Sequence, residues 1–187
     1  MNELPLSLLP LTLEYHQAAL QGVYAATPTY WARYNWPSAP PNQAKHDLTA
    51  AAETPGRTLM GIARRLDAND PKAGAELVGV IDFRLHWPGQ QIASIGLFMV
   101  AEPFQRQHIG TQAWQLLAGW LADSAGMHKA RLGVEQFNPG ALQFFLQLGF
   151  QLTGQTDRHR IGDKFVRLLY LEQEWPALLT HPGPQVE

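Results

Sequence analysis

The segment "PFQRQHIGT" (Pro103–Thr111) collects residue types that suit an anion. Gln105, Gln107 and Thr111 are hydrogen-bonding, Arg106 is charged, His108 can donate, and Gly110 carries no Cβ. Before it lies an apolar run, "ASIGLFMV" (Ala93–Val100). After it, Ile109, Ala113, Leu116, Leu117 and Trp120 recur at the spacing of one helix face. A strand therefore hands over to a helix here. The first N–H groups of a helix have no intrahelical acceptor and sit at the positive end of the macrodipole. A phosphate can collect several of them at once. Each dipole or charge contribution is ~0.3–1 kcal/mol when exposed, so tight binding of a diphosphate needs several together. A helix start is expected to keep φ negative, which makes a side chain at His108 tolerable. Taken alone, the same residues also read as a plain polar helix start.

Two other groups could do chemistry. Asp82 stands inside an apolar strand pattern, "VGVIDFRL". A carboxylate there is costly without a partner or a purpose. It either pairs with Arg84 or a backbone group, or it serves a reaction. His86 and Trp87 end the same strand. The Pro-rich stretch "TPTYWARYNWPSAPPN" (Thr27–Asn42) carries Tyr30, Trp31, Tyr34 and Trp36. Such walls accept cations, rings or peptide chains, or else form a local core over the first helix.

The elements that must position these groups follow from periodicity and breakers. Ser7–Ala26 reads as a short strand running into a helix, and Asn42–Glu53 as a second helix. Arg57–Arg65 and Glu76–Trp87 read as strands, with Leu77–Leu85 and Ile92–Val100 forming a hairpin. The helix after the anion segment ends at Gly126. Lys129–Asn138 is strand-like. Pro139–Phe150 is a helix with Pro139 in its first turn and Gly149 at its end. Gln151–Trp175 reads as two strands around "RIGDK". The order predicts a mixed α/β or α+β sheet with helices packed against it.

Composition narrows the function. The chain has 187 residues, 45% of them apolar, which fits one domain with a real core. Lys plus Arg total 14 against 16 acidic residues, a net charge of −2, so no general basic field for nucleic acid exists. There is no Cys, which removes disulfides, thiolate metal sites and a cysteine nucleophile. The seven His show no metal-ligand spacing such as HExxH, and no metal is expected. No apolar run approaches the ~20 residues of a membrane span. The start lacks a basic signal-peptide region, so a cytoplasmic protein that does not bind membranes is expected.

Against this background "VAEPFQRQHIGTQAWQLLAGWL" resembles motif A of the GCN5-related N-acetyltransferase (GNAT) superfamily, a Q/R-x-x-G-x-G/A pattern after a strand. Gln105 takes the first position and Gly110 the last. "LGVEQFNPGALQFFLQLGF" resembles the family's second signature through Val134, Asn138, Ala141, Phe145, Gly149 and Phe150. The resemblance spans roughly Leu8 to Leu171 of a single domain covering 1–187, with a flexible tail at 176–187. It implies a GNAT-like, mostly antiparallel sheet of six or seven strands. Helices would cover both faces, and the fourth strand would part from the fifth.

The resemblance further implies acetyl-CoA, or another acyl-CoA, as donor. Its pantetheine would pair with the parted strand at Phe98, Met99 and Val100. Its pyrophosphate would sit on the amides of Arg106, Gln107, His108, Ile109, Gly110 and Thr111. Asn138 would lie near the pantetheine, Phe144 or Phe145 would flank the thiol arm, and Met99 or Val100 would offer an N–H to the oxyanion. Tyr30, Trp31, Tyr34, Trp36 and Trp87 would form the acceptor site. Three positions depart from the pattern. The first motif-A glycine is His108. The usual tyrosine that protonates the thiolate is Phe145. The usual strand glutamate is Ser94. Proton acceptors could then be Asp82, His86, Glu135 or Glu102, and donors Tyr170 or Tyr34. The expected activity is acyl-CoA-dependent N-acylation of a primary amine on a small molecule or a protein N-terminus. The alternatives are an acyl-CoA-binding regulatory module and a phosphate-binding protein of another kind. A homodimer through the edge of "KFVRLLYLEQEW" is also expected.

Overall fold

The structure is a computed structural model that describes residues 5–67, 70, 72–161 and 164–175. Its strands are β1 (Leu6–Pro10), β2 (Arg57–Arg65), β3 (Ala75–Leu85), β4 (Ile92–Val100), β5 (Lys129–Glu135), β6 (Gln151–Ile161) and β7 (Lys164–Glu174). Its helices are α1 (Leu13–Ala25), α2 (Pro28–Ala32), α3 (Gln43–Glu53), α4 (Ile109–Asp123) and α5 (Pro139–Gln147). The short α2 is an addition to the sequence reading: Pro28 starts it, and only one turn follows before the chain bends at Asn35, φ 62°. The tail expected at 176–187 lies outside the described residues.

Seven strands form one sheet in the order β1-β2-β3-β4-β5-β7-β6. Only β4 and β5 run parallel; every other pair is antiparallel. This is the expected mixed α/β architecture. Helices cover both faces. On one, α4 and α5 pack Ile109, Ala113, Trp114, Leu117, Leu121 and Phe145 against Ile81, Phe83, Ile95, Leu132 and Val134. On the other, α1, α2 and α3 bring Leu20, Val23, Tyr24, Trp31 and Leu48 onto Leu59, Val80 and Met99. The apolar stripe of α4 is rotated from its sequence expectation. Trp114 is buried, against Phe150 and Trp175, while Leu116 and Trp120 stand 46% and 39% exposed.

The strand expected to be a free edge is not one. β7 lies between β5 and β6, and β6 is the edge on that side. Its unpaired backbone, not that of "KFVRLLYLEQEW", is what a partner strand would meet. Among the described residues no helix is long and apolar enough to cross a membrane.

Candidate active site

Pairing between β4 and β5 runs from Ile92–Lys129 to Ile95–Leu132 and then stops, although β4 continues to Val100 and β5 to Glu135. The parting begins at a bulge. Asp82 on β3 faces Leu97, and its neighbour Phe83 faces Ile95, so Gly96 is an extra residue on β4. A bulge bends its strand and strengthens the local twist. Beyond it, Ala101 N–H donates to Val78 O (2.9 Å), so Ala101 is turned toward β3. Strand alternation then turns Met99 toward Val80 and aims Phe98 and Val100 into the gap. The Val100 carbonyl accepts from Gln105 Nε2 (2.8 Å). That leaves the N–H and C=O of Phe98 and the N–H of Val100 facing the opening. Of the two oxyanion donors expected, the Val100 N–H faces the gap, while Met99 is 4% exposed and its backbone turns toward β3.

The anion segment joins this gap to α4. After a 3-10 turn at Glu102–Phe104, Arg106 and His108 both take positive φ, 60° and 59°. This corrects the expectation of negative φ at His108: the left-handed turn falls on the residue before the helix. Gln107 Nε2 donates to Pro103 O (2.9 Å) and braces the loop. The first helical bond is Gln112 N–H to His108 O (3.0 Å). Among the described residues no acceptor takes the N–H groups of Arg106 through Thr111. Left- and right-handed residues in alternation converge such N–H groups on a concavity that suits an anion. Gly110 also has a neighbour within the chain: a Cβ there would meet Phe144 Cζ at 3.1 Å, so its small size gives room to that phenylalanine. Phe98, Phe144 and Phe145 form a cluster beside the gap with centroids 5.1–6.0 Å apart. Phe145 is a core residue, 7% exposed. Asn138 has a local task, capping α5 through Ala141 N–H (3.3 Å).

On the opposite face of the sheet a cavity of about 270 Å3 is lined by Tyr24, Tyr30, Trp31, Tyr34, Trp36, Gln43, Asp47, Asp82 and Leu97. Leu97 and Asp82 lie at the fork of β4 and β5, so the cavity opens next to the gap. Trp31 and Trp36 stack at 5.8 Å, and Tyr30 meets Trp31 and Tyr34 edge-on. Asp82 is held by Arg57 of β2, not by Arg84: Nε reaches Oδ1 at 3.0 Å and an Nη reaches Oδ2 at 2.6 Å. Its carboxylate raises the guanidinium pKa further. Tyr34 donates to Glu135 of β5. Burial, then the hydrogen bond to that carboxylate, pushes the phenol pKa far up, so Tyr34 is a poor proton donor to a thiolate. Tyr30 is shifted the same way, by burial and then by the Glu135 charge.

The remaining candidates lie elsewhere. Leu85 pairs with Ala93, in the closed part of the β4–β5 ladder, so His86 and Trp87 lie beyond its closed end, with His86 roughly 13 Å along β3 from Asp82. There the His86 ring accepts from Gln91 N–H (3.3 Å), and Trp87 lies under Arg84. The structure does not bring these two residues to the cavity. Tyr170 faces Gly133 and lies beneath Arg131, 4.3 Å from its ring centroid. Glu102 accepts from Thr29 N–H (2.8 Å) and ties the 3-10 turn to α2. Ser94 pairs with Arg131 in the closed part of the β4–β5 ladder.

The sequence reading missed Asp47, Gln43 and Tyr24. Gln43 and Asp47 sit one turn apart in "NQAKHDLTAAAE", a spacing that puts both on one helix face. A second cavity, about 510 Å3, lies at the end of the β6–β7 hairpin among Gln136, Phe137, Arg158, Phe165, Val166 and Arg167.

A family model described as "Acetyltransferase (GNAT) family" matches residues 21–150. No curated protein sequence matches the chain. Among solved structures, an acetyltransferase from Thermus thermophilus superposes with a TM-score of 0.71 at 23% identity, covering 94% of this chain and 100% of that one. A GNAT-family protein of Chromobacterium violaceum gives 0.74 at 18% identity, covering 93% and 84%. The spermidine N-acetyltransferase of Vibrio cholerae, in complex with CoA and spermine, gives 0.65 at 12% identity, covering 90% and 95%. At these identities the superpositions speak for the fold.

Proposed function

The chain belongs to the GNAT acetyltransferase family and is an N-acetyltransferase, and we propose that it transfers the acetyl group of acetyl-CoA to the primary amine of an acceptor held in the aromatic cavity. The observation that carries this reading is the parted β4–β5 ladder, with free N–H groups at its margin on one face and the cavity on the other.

The residues present fit the donor. The uncommitted N–H groups of Arg106 through Thr111, with the Arg106 charge, suit a diphosphate. Phe98 N–H and C=O and Val100 N–H suit the amides of a pantetheine, as an added strand would. Acetyl-CoA supplies a thioester that a neutral amine can attack. The chain's part is placement: it holds two reactants on either side of one opening, with Phe98 and Phe144 excluding water. Val100 N–H is the donor aimed at developing oxyanion charge. Of the acid–base candidates Asp82, His86 and Tyr170, Asp82 lines the cavity, and we assign it the relay of the amine proton. The Vibrio neighbour's complex with spermine supports a small-molecule amine as acceptor.

Calorimetry with acetyl-CoA, followed by thiol release across a panel of amines, tests the proposal. Binding together with release is expected. Absence of acetyl-CoA binding overturns it. Binding without release from any amine leaves a CoA-binding module in its place.

A further inference from the structure

We infer that the acceptor is an organic cation and that Asp47, which no sequence motif marks, is the residue that selects it. The inference rests on the acetyl-transfer reading for what is done to the ligand, but not for what the cavity binds.

The charges around the cavity do not balance. Its lining residues include two carboxylates, Asp47 and Asp82. Arg57 answers Asp82 with a bidentate pair. Asp47 receives only neutral donors from the cavity wall, Tyr24 Oη at 2.8 Å and Gln43 Nε2 at 3.0 Å. At the surface the His46 ring stands 3.4 Å away, 77% exposed, and is charged only when protonated. Glu135 adds a further negative charge behind Tyr34. Arg57 also feels the Asp47 charge, but its hydrogen bonds go to Asp82, so two carboxylates share one guanidinium and a net negative charge faces a cavity lined by five aromatic side chains. Two of those rings are the Trp31–Trp36 stack. Aromatic faces attract cations, Trp most strongly, and do so better when water is excluded. A half-buried carboxylate beside such faces favours an ammonium group over a neutral or anionic one. The apolar walls and Leu97 leave the rest of the acceptor to be alkyl or aryl. An amine arriving in its protonated form is thus anchored by Asp47 at the mouth of the gap, where loss of its proton to Asp82 makes it the nucleophile.

The test separates binding from turnover. Benzyltrimethylammonium cannot be acetylated; benzyl alcohol and phenylacetate are its neutral and anionic counterparts. Binding of each to the full chain is followed by calorimetry and by tryptophan fluorescence, since Trp31 and Trp36 line the cavity. The cation is expected to bind at least about tenfold more tightly than the alcohol. Asp47→Asn is expected to weaken the cation about tenfold and leave the alcohol within about twofold, with Asp47→Glu recovering part of the loss. Equal binding of cation and alcohol, preference for phenylacetate, or indifference of the cation to Asp47→Asn overturns the inference. Should Asp47→Asn not fold, the comparison within the unaltered chain and the exposed-residue variant Trp36→Leu, expected to weaken only the cation, decide it. Cation selectivity in a chain that releases no thiol leaves the inference standing and removes acetyl transfer. Equal turnover of neutral and cationic amines at matched reactivity does the reverse.

Discussion

His108 occupies a turn of the proposed donor site that does not suit its residue type. Its φ of 59° and that of Arg106 at 60° place two non-glycine residues in the left-handed region within three positions. Each such residue costs about 1–2 kcal/mol, and strain of this kind persists where the surroundings hold it. Here the turn stands ahead of α4, where among the described residues no acceptor takes the N–H groups of Arg106 through Thr111. His108→Gly is therefore expected to stabilise the fold by up to ~1 kcal/mol in chemical denaturation, part of the relief being offset by the freer unfolded chain. Acetyl-CoA affinity should be kept or improved. A β-branched residue cannot follow, so His108→Val should lose most acetyl-CoA binding in calorimetry. A valine variant that binds as tightly as the parent would show that the left-handed turn has no part in holding the anion. The departure from glycine was visible in the sequence, but its consequence was not. A helix start was expected at 108, and the structure sets one residue of turn before it. Gly110 is similar. Its lack of a Cβ was plain; that the space belongs to Phe144 depends on α5 crossing in front of it.

At the scale of elements, the candidate site is the place where β4 leaves β5. The apolar run Ala93–Val100 identified the strand because it feeds the cores on both faces of the sheet, Ala93 and Ile95 on one and Met99 on the other. Nothing local says that pairing ends after Ile95, because that depends on register with Leu132, far along the chain. For the same reason the sequence put His86 and Trp87 in the acceptor site: a strand pattern does not tell which of its ends meets the gap. The aromatic cluster at Tyr30–Trp36 was legible from composition. Asp47 was hidden by a helix pattern that reads as an ordinary polar face. One side-chain bond that ties the anion loop to the gap is Gln105 Nε2 to Val100 O. Gln105→Ala frees that carbonyl and unties the loop from the strand end. A hydrogen bond of this sort contributes about 1 kcal/mol. The expected result is a roughly fivefold weaker acetyl-CoA complex, with the binding of benzyltrimethylammonium in the cavity unchanged. A loss at both sites would instead mean that Gln105 supports the whole fork.

Across the whole molecule, the sheet consists of two halves, β1–β4 and β5–β7–β6, joined at the closed end of the fork through Ile92–Ile95 and Lys129–Leu132. The second half must stay rigid for the gap to keep its width, and a charged cluster helps to hold it. Glu172 of β7 accepts from Lys129 Nζ at 2.8 Å and from an Arg131 Nη at 2.9 Å, both on β5 at that closed end. Burial pushes the Glu172 pKa up. The bonds and charges of Lys129, then of Arg131, outweigh it and leave the pKa below the usual carboxylate range. The hydrogen bonds to Glu172 and Glu174 raise that of Lys129. A lowered carboxylate pKa contributes stability above the unfolded value of about 4.3, lost as pH falls through the folded value. A raised lysine pKa contributes below about 10.4, lost as pH rises through its folded value. Between these limits the cluster acts in full. Glu172→Gln should cost about 1 kcal/mol at pH 7, a modest figure because the cluster is partly solvated. As pH falls from the unfolded value of about 4.3 through the lowered folded one, the parent loses this contribution, so the difference between the two proteins should shrink. Urea midpoints for both proteins at pH 7 and near pH 3 measure it. A difference as large in acid as at neutrality would assign the loss to packing of the side chain and not to its charge. The variant also reads out the fork. Because Glu172 lies on the closed side, acetyl-CoA affinity at pH 7 should fall less than twofold, as expected if the opening is set by the bulge at Gly96 and not by the grip of β5 on β7.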